Sequence, residues 1–513
     1  MVLPSARAAD SPFLITDVRS GFKRMERFTA GPGRGDVTDA TIAVLGAGVA
    51  GLVAAYELVR RGHRVVVLEA DSRVGGRIFT HRFGGDAGPV VELGAMRIPG
   101  DHELTLRYID ELGLGDQLRP FTNVLTDPDN LLRIGTRFVR ARDAADALVH
   151  ETARSCPGVA HRPDALLFVG WMHAMVRALA PREQRDIMRA DLAGLLDVVG
   201  GLDVTPFLRD GRADLSAAFR RHPELRAACS GALKGFLDDI LRRFSTGMVC
   251  LPHGMDQLPN GLARRLPGRI HLRHEVTAID VRPEGVTVGL ATERGRTAVT
   301  YPAVLCTLPF SVLRNLPLRG FDADKVETIK RLDYGSATKV GLLCAEAFWN
   351  RHRTVGGGSA SGGSIRQTYY PAPITDPAGG AALLGSYTIA EDADQLGRLS
   401  VEERHRIVVD ELTAMHPELR AAGMIQDVVS IAWGERRWSR GCAAVRQGLT
   451  GAELEQDAAQ AIRAQGGLFF AGEHCSVTPA WIQAGIETAL TAVQQIDRFA
   501  AVVAEHRGST ALR

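Results

Sequence analysis

The chain has 513 residues, 45% of them apolar and 23% charged, and a formal net charge of +2. That length is too great for one ordinary core and predicts two or three domains, while the composition argues against a disordered chain. The small, scattered charge argues against a nucleic-acid partner and for a small-molecule one.

Seven cysteines (Cys156, Cys229, Cys250, Cys306, Cys344, Cys442 and Cys475) are widely spaced and form no C-x-x-C pair. This speaks against a disulfide framework and a zinc site, so no metal is expected and reduced thiols point to the cytoplasm. Residues 1–16 lack the basic segment and apolar run of a signal peptide. No run reaches the ~18 apolar residues of a membrane span, so no membrane association is expected.

In chain order, residues 1–37 carry little periodicity, and Gly31–Gly35 reads as a flexible lead-in. Thr41–Leu45 is an apolar run of the kind buried on both faces of a parallel sheet. A glycine-rich turn, a helix over about 50–61 and a second strand, Arg64–Glu69, complete a βαβ unit. The pattern from about 125 to 245 is helical and predicts an inserted helical domain. Strand-like runs return over 270–272, 286–290 and 304–308. Gly356–Gly363 reads as an exposed loop because it is rich in Gly and Ser. Gly467–Gly472 reads as a strand entering a turn, followed by a helix over about 481–500.

The first turn, Gly46-Ala47-Gly48-Val49-Ala50-Gly51, is a G-x-G-x-x-G between strand and helix. Gly46 permits the tight turn, Gly48 admits a pyrophosphate to the backbone, and Gly51 allows close helix–strand packing. The helix N-terminus then presents free N–H groups to phosphate. Glu69 ends the second strand where a carboxylate can accept hydrogen bonds from ribose hydroxyls.

Two further motifs carry a family resemblance. Gly75-Gly76-Arg77 follows Glu69 and Ala70, and Phe469-Phe470-Ala471-Gly472-Glu473-His474 precedes Trp481-Ile482. Together they resemble the flavin-dependent monoamine oxidase superfamily. The resemblance covers most of the chain, including Leu251–Pro259, Arg273–Ile279 and Val304–Pro309. It implies an FAD cofactor, with Arg77 against the pyrophosphate, Val276 at the adenine and Glu473 on a ribityl hydroxyl. Trp481 and Ile482 would open a helix aimed at the flavin ring. Ala50, Ala70, Gly76, Gly94, Ala95, Met96, Arg97 and Gly472 would complete the cofactor contacts. His474 and Cys475 are read as packing residues.

Within the superfamily, Glu92-Leu-Gly-Ala-Met-Arg97-Ile-Pro99 is similar to the L-amino acid oxidases, where the arginine pairs with the substrate carboxylate. Planar two-point recognition suits Arg and not Lys. The resemblance further implies that Tyr387 supplies a second bond to that carboxylate and that Trp481 flanks the amino group. Ala480 stands where the family usually has Gly, with its carbonyl facing the amine. Lys339, a lone charge in an apolar strand pattern, matches the lysine that holds a water beside flavin N5. Burying such a charge is costly without a purpose. Cys442 aligns with a cysteine bonded covalently to flavin in monoamine oxidases, but the surrounding motif is degraded. A noncovalent FAD, with Cys442 in the substrate pocket wall, is the expectation.

The implied fold is α/β: a Rossmann-type FAD-binding domain (36–85, 246–320 and 436–505), a mixed α+β substrate domain (1–35, 86–124 and 321–435) and a helical domain (125–245). The implied chemistry is hydride transfer from Cα of an L-amino acid to flavin N5, giving a 2-oxo acid and ammonia. Oxygen would then be reduced to hydrogen peroxide, and a homodimer is expected. An L-amino acid 2-monooxygenase shares these motifs and yields an amide instead. A flavin amine oxidase acting on non-carboxylate amines shares all but the reason for Arg97. Side-chain preference is expected to rest on the helical insert and on residues 430–445.

Overall fold

A computed structural model describes residues 41–511, apart from 126, 157–160, 246, 353, 355, 372–379, 447–448 and 450. The expected lead-in over 1–37, with its Gly31–Gly35, lies outside the described residues.

The first sheet is parallel and five-stranded, running Ile270–His271, Arg64–Leu68, Thr41–Leu45, Ala303–Cys306, Leu468–Phe470 from edge to edge. Its strands Thr41–Leu45, Ala303–Cys306 and Leu468–Phe470 are apolar over most of their length because both faces are covered. Ile42, Val44, Val67, Leu305 and Phe469 pack on the side of helices Val49–Arg60 and Ile482–Ala511. Ala43, Leu45, Leu68, Val304, Cys306 and Phe470 pack on the other side, with Val276, Ile279 and Val288 of a second sheet. Full burial of each large apolar side chain contributes roughly 1.5–3 kcal/mol. The final helix reaches Ala511, beyond the expected 500.

A seven-stranded sheet runs Ile425–Ala432, Ala337–Cys344, Ala381–Ile389, Gln367–Tyr369, Gly358–Ala360, Leu131–Ile134, Arg137–Arg140. Two expectations fail here. Residues 131–140, read as the start of the helical region, are a β-hairpin of this sheet; Gly135 turns it at φ +60°. Gly356–Gly363 is not an exposed loop, since Gly358–Ala360 is a buried strand. Its glycines serve close packing: a Cβ on Gly357 would stand 2.2 Å from Asn130 Oδ1, and one on Gly358 2.9 Å from the Tyr369 ring.

Helices Ala144–Ser155, Pro163–Leu179, Arg182–Gly200 and Gly231–Ser245 make up a helical insert in the stretch read as helical. Its apolar residues share one core with the large sheet, in which Phe168, Met172 and Leu192 join Ala360, Tyr369 and Trp433. Buried Arg366 lies 3.5 Å from Asp392, which also pairs with Arg185 of the insert at 2.8 Å. Among the described residues no helix is long and apolar enough to cross a membrane.

Candidate active site

A cavity of about 470 Å³ opens where the first sheet meets the seven-stranded one. At one end lies the glycine turn. Gly46 has φ +102°, a conformation open to glycine, and a Cβ there would stand 2.7 Å from Thr307 Oγ1. A Cβ on Gly51 would stand 2.0 Å from Gly46 O, so this glycine serves helix–strand packing and does not line the cavity. Gly48 has open space before it. Glu69 accepts from Ala47 N at 2.6 Å and from Asp71 N at 2.8 Å. Burial pushes its carboxyl upward, against those two backbone bonds.

In the middle, Arg77 donates to Glu473 Oε1 at 2.6 Å and to Cys442 O at 3.0 Å. Glu473 also accepts from Ala444 N and, at 3.0 Å, from Ala480 N. Burial raises its carboxyl, but Arg77, His474 and the Ala480 N–H together outweigh this and the net shift is downward. Burial pushes the Cys442 thiol up to about 11. The strand Leu468–Phe470 delivers Glu473, and helix Ile482–Ala511 starts at the cavity wall with Trp481, Ile482 and Gly485.

At the far end, Lys339 and Tyr387 pair across neighbouring strands. Lys339 Nζ donates to Gly94 O at 2.6 Å and Glu92 O at 3.2 Å. Burial pushes the lysine down, and it pushes the Glu92 carboxyl up although Met255 N and Thr80 donate to that group. Arg97 donates through Nη1 to Asn123 Oδ1 at 2.7 Å and to Tyr369 Oη at 3.4 Å. Ala480 carries φ +73°, so it holds the left-handed backbone expected of the glycine it replaces. Trp481 meets His102 edge to face at 5.1 Å.

The cavity is lined by Lys339, Arg97, Tyr387, Trp481, Ala480 and Cys442. Gly46, Gly48, Ala50, Glu69, Ala70, Gly76, Arg77, Gly94, Ala95, Met96, Val276, Gly472, Glu473 and Ile482 line it too. Of the residues expected to contact cofactor or substrate, only Gly51 is absent from this lining. Residues 430–445 contribute Trp433, Arg436, Trp438 and Ser439, whereas the helical insert contributes none to this lining, contrary to expectation. Trp433 is fixed by its indole N–H to Leu93 O at 2.8 Å. Arg436, which pairs with Asp71, went unread because nothing distinguishes it from its neighbour Arg437 in sequence.

A glycine cradle, an adjacent carboxylate and a helix N-terminus along one cavity define a dinucleotide-binding protein of the Rossmann type. The indole N–H of Trp438, buried in the cavity wall, has no acceptor among the described residues, as befits a wall built for a polar ligand. Residues 49–497 match the family model for flavin containing amine oxidoreductases, and the chain belongs to that family. It is therefore an FAD-dependent enzyme. It is 48% identical over 462 residues to a flavin-dependent L-tryptophan oxidase of Lentzea aerocolonigenes, covering 89% of this chain and 98% of that one. It is 30% identical over 470 residues to an L-amino-acid oxidase of Mus musculus, covering 89% of this chain and 70% of the other. In fold it is similar to putrescine oxidase with bound putrescine, at TM-score 0.60 and 19% identity, covering 90% of this chain and 100% of that one.

Proposed function

We propose that the chain catalyses oxidative deamination of an aromatic L-amino acid, with L-tryptophan the first candidate. One observation carries this reading: Arg97 lines the cavity with Lys339 and, among the described residues, its guanidinium pairs with no carboxylate. A charge kept there without an anionic partner suits a substrate carboxylate. The aromatic preference is supported by Tyr387, Trp433 and Trp481 in the lining and by the identity to an L-tryptophan oxidase.

In this reading Arg97 and Tyr387 hold the carboxylate, while the Ala480 carbonyl and the Trp481 ring bound the amino group. Glu69, Arg77, Val276 and Glu473 hold the cofactor. When bound, FAD supplies the two-electron acceptor. Fixing the carboxylate orients Cα without a dedicated base. Overall, the amino acid, oxygen and water yield a 2-oxo acid, ammonium and hydrogen peroxide. Lys339 serves the oxygen half of the reaction. The seven free cysteines suit a reducing cytoplasm, and a homodimer is part of the same reading.

Peroxide release from the twenty L-amino acids and from tryptamine tests this. The expected result is turnover of L-tryptophan with indole-3-pyruvate as product. Release of an amide would make the enzyme a 2-monooxygenase. Equal turnover of tryptamine would make it an amine oxidase.

A further inference from the structure

Buried Arg366 lies 3.5 Å from Asp392, and the partly buried Arg77 and Arg446 pair with Glu473 and Asp457, each at 2.6 Å. Buried Arg404 has no carboxylate, but backbone carbonyls take up its donors. Arg97 is held differently. Its Nη1 donates to Asn123 Oδ1 at 2.7 Å and to Tyr369 Oη at 3.4 Å, and Tyr369 donates onward to Gln367 Oε1 at 2.7 Å. The guanidinium carbon lies 5.7 Å from the centre of the Phe121 ring, which packs against Tyr369 at 5.4 Å. Asn123, Gln367 and Tyr369 are all buried. Burial pushes the Tyr369 phenol upward, so it stays neutral. Every contact thus orients the fork, and none cancels its charge.

Asn123 is itself fixed from behind. Its backbone carbonyl accepts from Asn130 Nδ2 at 3.0 Å, which also donates to Val124 O at 2.7 Å. Asn130 Oδ1 accepts from Gly358 N at 3.0 Å. The glycine-rich strand Gly358–Ala360 therefore braces the support of Arg97.

We infer that Asn123 is a positioning residue that sets the preference for amino acids over amines, orienting Arg97 through a neutral amide and so leaving its charge to the substrate carboxylate. This rests on the proposed role of Arg97. Asn and Asp are nearly isosteric. A carboxylate at position 123 would occupy the fork as the substrate does, so the acid would lose its advantage and the amine would not.

The experiment compares kcat/KM for L-tryptophan and tryptamine in the wild type, Asn123→Asp, Asn123→Ala and Arg97→Ala, all with bound FAD verified by absorbance. In Asn123→Asp the acid-to-amine ratio is expected to fall by at least ~100-fold, with tryptamine turnover unchanged or higher. In Asn123→Ala, which keeps the charge but loses the orientation, it is expected to fall by ~3- to 10-fold, mainly through KM. A ratio within ~3-fold of wild type in Asn123→Asp, with Arg97→Ala collapsing it, overturns the role of Asn123 alone. A ratio unmoved by Arg97→Ala overturns the carboxylate reading and this inference together. Should Asn123→Asp fail to fold, Asn123→Ala decides by equilibrium titration of the flavin spectrum. Indole-3-propionate should bind ~10-fold more weakly and tryptamine within ~2-fold of wild type, and equal weakening of both overturns the inference.

Discussion

The ammonium of Lys339 lies 4.7 Å from the centre of the Tyr387 ring, its partner directly across the antiparallel strands. The contact favours a cation by about 0.5–2 kcal/mol, while burial works against it. The lysine is thus held by two carbonyls and a ring face at the cavity wall. Lys339→Met keeps the length and removes the charge. It is expected to slow reoxidation of the reduced enzyme by oxygen by at least ~10-fold and to leave FAD affinity within ~3-fold. Stopped-flow absorbance measures the first and equilibrium titration the second. Unchanged reoxidation would remove Lys339 from the oxygen chemistry.

Arg97→Ala is expected to retain its FAD and fold yet lose at least ~100-fold in kcat/KM for L-amino acids, the scale of truncating a desolvated charge pair. Arg97→Lys should recover only part of this, because a point charge cannot reproduce a planar fork. Steady-state kinetics on the purified holoenzymes decides.

Cys442 lines the cavity with a thiol that burial keeps protonated at neutral pH. A protonated thiol is a poor partner for covalent attachment. Acid precipitation is therefore expected to leave yellow FAD in the supernatant, and colour in the pellet would show a covalent link.

Ala480 holds φ +73°, which costs an L-residue about 1–2 kcal/mol relative to glycine. Ala480→Gly is expected to raise stability by about 0.5–1 kcal/mol, the greater freedom of unfolded glycine offsetting the rest. Ala480→Val should lose more than about 1 kcal/mol. Urea unfolding of the holoenzymes reads both.

His474 is fully buried, and neither ring nitrogen has a hydrogen-bond partner among the described residues. Burial pushes it from 6.5 down to about 3. As pH falls below 6.5 the unfolded chain takes up a proton there that the folded one does not. The stability this histidine contributes is therefore full above 6.5 and is lost as pH falls toward 3. His474→Phe, which preserves the ring packing on Phe310, should remove that limb. Its advantage over wild type should grow by about 2 kcal/mol between pH 7 and pH 5. Denaturation at the two pH values measures it.

How much of this was readable beforehand depended on distance along the chain. The Gly46–Gly51 turn and Glu69 lie within one βαβ unit, so local spacing carried their geometry. Lys339 stood out because a charge within Ala337–Cys344 contradicts the apolar pattern around it. Asn123, Gln367 and Tyr369 gave no such contrast. They are neutral, ordinary in composition and far apart, and only the seven-stranded sheet gathers them behind Arg97. Glycine content misled at 356–363, because glycine marks close approach as well as turns: here the neighbours are Asn130 and Tyr369.

The order of strands in the first sheet bears on how the enzyme matures. Thr41–Leu45 bonds to Ala303–Cys306, and that strand to Leu468–Phe470, so the sheet stays open until almost the whole polypeptide has left the ribosome. Glu473, which closes on Arg77 from a separation of 396 residues, arrives later still. Contacts of such range form slowly, because the loop entropy must be overcome before they stabilise anything. If Glu473 holds the cofactor as proposed, cofactor loading belongs to the last stage of biosynthesis, and a polypeptide truncated before residue 473 would lack that contact.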